Sequence, residues 1–191
     1  QMCIRDRVSD VSESILNPIE SKDDIVTSQD NKEVFSSSKV IVLAVKPNLI
    51  APVLESAKDM DLKEKLIISV AAGVPIKFIE SIAIETAVIR VMPNITLSIG
   101  YSPSCYSIGK HVTRKNEEDF KKIFGSLGSV IKVDEKQMDA VTGLSGSCLL
   151  YTSDAADDLL CVDLGGRRII KKKNLYRYIH YITTYTSLFS V

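Results

Sequence analysis

Three short corners hold the residues that could do chemistry: Ala44-Val45-Lys46-Pro47, Ala71-Ala72-Gly73 and Met92-Pro93-Asn94. Each closes an apolar run with small residues, a proline or a single polar group. Lys46 can counter a negative charge, and the small residues let backbone or ligand come close. Read alone, Lys46 is as well a solvated residue after a strand, and Gly73 as well a simple turn. Ser145 and Ser147 flank Gly146, which is not a Gly-x-Ser-x-Gly elbow, and no histidine lies near, so a hydrolase is rejected. The four cysteines, at 3, 105, 148 and 161, form no CxxC pair, and the histidines are only 111 and 180. This argues against a metal site.

The elements that must position these corners read as alternating strands and helices. Val40 to Ala44 is an unbroken apolar run extended by Val45, the mark of a strand buried on both faces, and it stops at Lys46-Pro47. Leu66 to Val70 and Ala87 to Val91 are two more such runs. Between them, apolar residues at 49, 50, 53, 54 and 57, and then Ile76, Ile79 and Ile82, recur at helical spacing. Upstream, Val8-Ser9-Asp10 ends a strand, Ser12 to Glu20 has a weak helical face, Ile25 to Thr27 is a short strand, and Asp30 or Asn31 caps a helix over Lys32–Ser38. Downstream, Tyr101–Gly109 and Val130–Val133 read as strands. Asn116 starts a helix with Phe120, Ile123, Phe124 and Leu127 on one face and Gly128 as its stop. Asp134 with Gln137 resembles a capping box before Met138, Val141 and Leu144. The pattern predicts an α/β fold with a Rossmann-type, doubly wound and mostly parallel sheet. In such sheets ligands bind at the carboxyl ends of the strands, where the three corners lie.

Composition sets the outer bounds. The chain has 191 residues, 45% apolar and 25% charged, with no net charge. Nothing here favours a nucleic-acid partner or a disordered tail, no apolar run reaches the roughly 18 residues of a membrane span, and the first residues do not read as a signal peptide. The expectation is a cytoplasmic protein with a small-molecule ligand.

Leu43–Pro47, Ser69–Val74, Arg90–Asn94, Val133–Glu135 and Met138–Ser147 stand in the order and spacing found in pyrroline-5-carboxylate reductases, which the chain resembles from Val8 to Ser147. The resemblance implies an NADP- or NAD-dependent oxidoreductase that reduces 1-pyrroline-5-carboxylate to L-proline, the last step of proline biosynthesis. It implies a nucleotide-binding domain followed by a helical dimerisation domain, and a homodimer or larger homo-oligomer. Hydride transfer to a cyclic imine asks the protein for placement and electrostatics rather than a triad. By the resemblance Ser9, Asn31, Ala44, Val45, Lys46, Pro47, Ala71, Ala72 and Gly73 line the cofactor, and Met92, Pro93 and Asn94 lie near the nicotinamide. Ser9 would suit a 2′-phosphate and Asp10 a 2′-hydroxyl, which leaves NADP and NAD both open. Two other readings stand beside this one: a related reductase of a small hydroxy acid, and a non-catalytic nucleotide-binding or interaction module.

The sequence departs from the family at three places. Asn94-Ile95-Thr96 replaces Asn-Thr-Pro, no Gly-rich phosphate loop precedes Val8, and Cys148-Leu149-Leu150 replaces Gly-Pro-Ala-Tyr after Ser147. Residues 1–7 and 148–191 resemble translated adapter sequence. The expected organisation is therefore a non-native leader (1–7), the nucleotide-binding domain (8–147), and a non-native tail (148–191) in place of the helical domain. That gives a fragment truncated at both ends, with little activity of its own. Sequencing the native transcript across codons 147 and 148 is expected to return a glycine-proline continuation, and recovery of Cys148-Leu149-Leu150 overturns the adapter reading.

Overall fold

The structure is a computed structural model that describes residues 6–20, 25–146 and 182–185. The elements run β1 (Asp6–Ser9), α1 (Glu13–Glu20), β2 (Ile25–Ser28), α2 (Asn31–Ser37), β3 (Val40–Leu43), a 3-10 turn (Pro47–Leu49), α3 (Ile50–Ser56), β4 (Leu66–Ser69), α4 (Ile76–Ile82), β5 (Ala87–Met92), a 3-10 turn (Ile95–Ile99), β6 (Ser104–Ile108), α5 (Arg114–Gly125) and β7 (Val130–Lys132). A 3-10 turn (Glu135–Gln137), α6 (Met138–Val141), a π-type turn (Thr142–Gly146) and β8 (Ile182–Tyr185) follow.

The strands form one sheet in the order β2-β1-β8-β3-β4-β5-β6-β7. β1 and β2, β3 to β5, and β6 and β7 pair in parallel, while β6 runs antiparallel to β5. That reversal follows from the connection after β5, which holds only a 3-10 turn and no crossover helix. The mostly parallel, doubly wound architecture expected from the three apolar runs is the one observed.

The runs are almost wholly apolar because both faces of the sheet are covered. Ile41, Leu43, Ile67 and Val88 face a core with Val34 and Phe35 of α2, Ile50, Val53 and Leu54 of α3, and Ile76 and Ile79 of α4. Val40, Val42, Leu66, Ile68, Ile89 and Val91 face the other way, against Tyr106 and against Phe120 and Phe124 of α5. Alternate residues of one strand thus feed two cores, so no position in β3 or β4 is left for a polar side chain apart from Ser69 at its end.

Several boundaries differ from the sequence reading. β3 stops at Leu43, with Val70 N–H bonded to its carbonyl at 3.2 Å, and Ala44 and Val45 already belong to the corner. β1 begins at Asp6, two residues inside the expected leader, and β8 comes from the expected tail. β8 lies antiparallel between β1 and β3, pairing Val8 and Val42 both with Thr183. Two parallel strand edges with open ladder groups accept a strand of either direction, which is how β8 fits between them. The rest of 148–191, including Lys171–Lys173 and His180, lies outside the described residues, as does Ser147. Thr113, not Asn116, caps α5; Asn116 is the reciprocal partner three residues on. Tyr101, read as the start of a strand, and Leu144, read at helical spacing after Met138 and Val141, are 79% and 67% exposed.

One charged cluster ties α5 to the sheet. The buried Tyr106 hydroxyl donates to Glu117 Oε1 at 2.7 Å, and Lys121 and Lys132 stand 3.0 and 3.3 Å from the same carboxylate. The Tyr106 hydrogen bond, then Lys121 and Lys132, hold the Glu117 carboxyl down to about 2 from its ordinary 4.5. Because the folded value is the lower one, this stabilisation is present above pH 4.5 and fades as pH falls toward 2. Glu117→Gln is expected to cost about 1–3 kcal/mol at pH 7 in urea unfolding, and the gap between variant and wild type should shrink by about half at pH 3.

Candidate functional site

The register places the ends of the parallel strands in one row. Ser9 pairs with Ile182, Ile182 with Leu43, Leu43 with Ser69, and Ser69 with Arg90. Neighbouring strands are about 4.8 Å apart, so the ends of β1 and β3 lie roughly 10 Å apart across β8. The corners Ala44–Pro47, Ala71–Gly73 and Met92–Asn94 all leave the sheet at this edge. A cavity of about 1020 Å³ opens at the opposite edge, among Asp6, Val40, Leu66 and Ala87 at the strand starts, and holds none of the predicted site residues. The direction of the strands, not this cavity, locates the candidate site.

Each corner is shaped by local rules. Lys46, in extended backbone, accepts the Leu49 N–H at 2.9 Å, and Pro47 opens the 3-10 turn where a missing donor costs little. Lys46 and Pro47 are exposed, Ala44 and Val45 half-buried. Ala71 is buried, Ala72 and Gly73 are exposed, and Gly73 takes φ +71°. A Cβ built on Gly73 meets nothing within 4 Å, so glycine is required there by the backbone, and the space beside it is open.

Asn94 organises the third corner. Its backbone N–H donates to Ser102 Oγ at 2.9 Å, and its Oδ1 accepts the Thr96 N–H at 3.1 Å, capping the turn Ile95–Ile99 despite the absence of the family's Asn-Thr-Pro. Its Nδ2 donates to the Ser145 carbonyl, which fastens the corner to the Gly143–Gly146 segment.

At the far side of the row, the buried Ser9 hydroxyl donates to Asn31 Oδ1 at 2.8 Å. Asn31 does not cap α2. Asp30 does, accepting the Lys32 N–H at 2.8 Å. Asp10 Oδ1 turns back to accept the Ser12 N–H at 2.8 Å. The structure thus joins Ser9 to Asn31 directly and leaves Asp10 engaged with its own loop.

Four residues at this edge were not among the expected site residues: Arg90, Ser102, Glu135 and Asp139. Arg90 sits inside β5 with its side chain 3% exposed, paired with Asp139 at 2.8 Å and Glu135 at 3.6 Å. The signal was available, because one arginine in a six-residue strand that is buried throughout demands carboxylate partners. Among the described residues no group of three or more His, Cys, Asp or Glu is placed to hold a metal, and no helix is long and apolar enough to cross a membrane.

This edge, on this sheet, defines an α/β domain of the Rossmann type found in nicotinamide-dependent oxidoreductases. Residues 6–73 match the family described as NADP oxidoreductase coenzyme F420-dependent. The chain is 41% identical over 140 residues to the pyrroline-5-carboxylate reductase of Methanosarcina acetivorans, covering 73% of this chain and 52% of that protein. Among solved structures, the pyrroline-5-carboxylate reductase of Coxiella burnetii superposes with a TM-score of 0.71 at 31% identity, over 80% of this chain and 60% of that one. The Plasmodium falciparum pyrroline carboxylate reductase, solved with NADP bound, gives 0.64 at 29% identity over 72% and 54%. The chain spans about half the length of the curated relatives it matches. Over the matched region it belongs to the pyrroline-5-carboxylate reductase family, as the N-terminal domain.

Gly73→Ala is expected to cost about 1–2 kcal/mol in urea unfolding, the strain of a left-handed residue with a side chain. A larger loss would mean a steric clash that the open space around Gly73 does not provide.

Proposed function

We propose that this chain is the nucleotide-binding part of a reductase that converts 1-pyrroline-5-carboxylate to L-proline with NADPH or NADH. The observation that carries the reading is the single row of strand ends, with the Ala44–Pro47, Ala71–Gly73 and Met92–Asn94 corners leaving the sheet together. Two features of the edge fit a dinucleotide. The space beside Gly73 is open, so backbone can approach a ligand. Ser9, buried, and Asn31, half-buried, form a polar pair at the end of β1, where a ribose would be received.

When bound, the nicotinamide supplies the hydride. The chain's own residues do the placing. In this reading Ser9 and Asn31 orient the adenosine end, and Lys46 offsets phosphate charge. The Ala71–Gly73 backbone lies against the dinucleotide, and Met92–Asn94 shape the nicotinamide end, held there by the Ser102 and Ser145 bonds of Asn94. Such a site lowers the barrier through orientation and exclusion of water rather than through an acid–base pair.

The whole enzyme in this reading is a cytoplasmic homodimer or larger homo-oligomer. Because this chain spans about half of its relatives' length, its turnover of 1-pyrroline-5-carboxylate is expected to fall below detection in a NADPH-oxidation assay. Cofactor binding is the direct test. In a thermal-shift titration, millimolar NADPH is expected to raise the melting temperature by a few degrees, as mass action requires of a weak ligand. Ala72→Glu, which sets a negative charge at an exposed corner, is expected to abolish the rise. No response at any NADPH concentration overturns the reading.

A further inference from the structure

We propose that Glu135 is a positioning residue that latches the Ala71–Gly73 corner to the Asp134–Gly146 segment, with Arg90 as its buried counter-ion. The proposal deepens the cofactor-edge reading above and rests on it for its functional meaning.

α4 begins three residues after Gly73, and Pro75 gives it no side-chain cap. The cap comes from elsewhere in the fold: Glu135 Oε1 accepts the Ile76 N–H at 2.6 Å, across 59 residues of sequence. A carboxylate at a helix start satisfies an open donor and meets the positive end of the helix dipole. Arg90 Nη1 lies 3.6 Å from the same oxygen, and Nη2 donates to Asp139 Oδ1 at 2.8 Å. Arg90 Nε has no partner among the described residues, so this buried guanidinium depends on the two carboxylates. Both belong to one short stretch of chain.

That stretch is fastened at several points. Ser107 Oγ donates to the Val133 carbonyl at 2.8 Å, Met138 is fully buried, and Asn94 holds the Ser145 carbonyl. Of these ties, the Glu135 bond is the one that reaches α4. A ligand that shifts the Ala71–Gly73 corner therefore pulls on Glu135, and through it on the segment that Asn94 grips at its other end. Two sites joined through one such element are coupled in both directions.

Amide hydrogen exchange followed by NMR on the 191-residue chain tests this. In Glu135→Ala, the amides of Ile76 and of Met138–Val141 are expected to exchange at least about tenfold faster, the effect of losing a cap. The amides of Ile67, Ile68 and Ile89 should keep their rates. Glu135→Gln retains an acceptor oxygen without the charge. It is expected to restore protection at Ile76 while Met138–Val141 stay fast. In Glu135→Ala, acceleration confined to one of the two elements, or equal acceleration of all strands, overturns the latch. Excess NADPH should slow Ile76 exchange in wild type and not in Glu135→Ala. If NADPH leaves wild type unchanged, the cofactor-edge reading fails, while the exchange rates without ligand still decide the latch.

Discussion

Coverage of the sheet on both faces is the constraint from which the rest follows. β3, β4 and the buried row of β5 have no solvent side, so every residue must find an apolar partner above or below. A parallel sheet of this kind has to return each strand through a helix, which brings every strand to its end on the same side. The three corners share an edge for that reason. The buried positions also explain how the edge can be polar: Ser69, Arg90 and Ser107 form a row just below the corners, where the two cores run out and hydrogen-bonding groups can be satisfied.

Within that frame, the polar residues act as fasteners between segments far apart in sequence. Ser9 holds Asn31 across one crossover, and Asn94 holds both Ser102 and Ser145. Glu135 and Asp139 pair with Arg90 from a segment that the sheet does not otherwise contain. Small residues at these corners keep space open, while the fasteners keep the corners from drifting into it. A site formed this way works through position, which agrees with a chemistry whose reactive atom belongs to a cofactor.

The centre of the sheet shows how far ladder bonding is indifferent to direction. β8 enters antiparallel between β1 and β3, although every other neighbour of those two strands is parallel. Unpaired backbone groups on two facing edges are costly enough that a short Ile-Thr-Thr-Tyr stretch satisfies them.

Much of this was legible in residue order alone. The apolar runs at Val40, Leu66 and Ala87 identified buried parallel strands, because only two-sided burial removes alternation from a strand. Helical spacing at Ile76 and Ile79 and at Phe120 and Phe124 identified the covering helices, since 3.6-residue periodicity is a local property. The corners were visible as the places where those runs stop at proline, glycine or a small-residue cluster. What the sequence could not decide depended on partners distant along the chain. Asp30 and Asn31 are both fair caps, and only the approach of Ser9 commits Asn31 elsewhere. Glu135 looks like one more surface carboxylate until the fold carries it to the first turn of α4. Local pattern reports which face a residue prefers, and tertiary packing alone chooses which of the acceptable partners it meets.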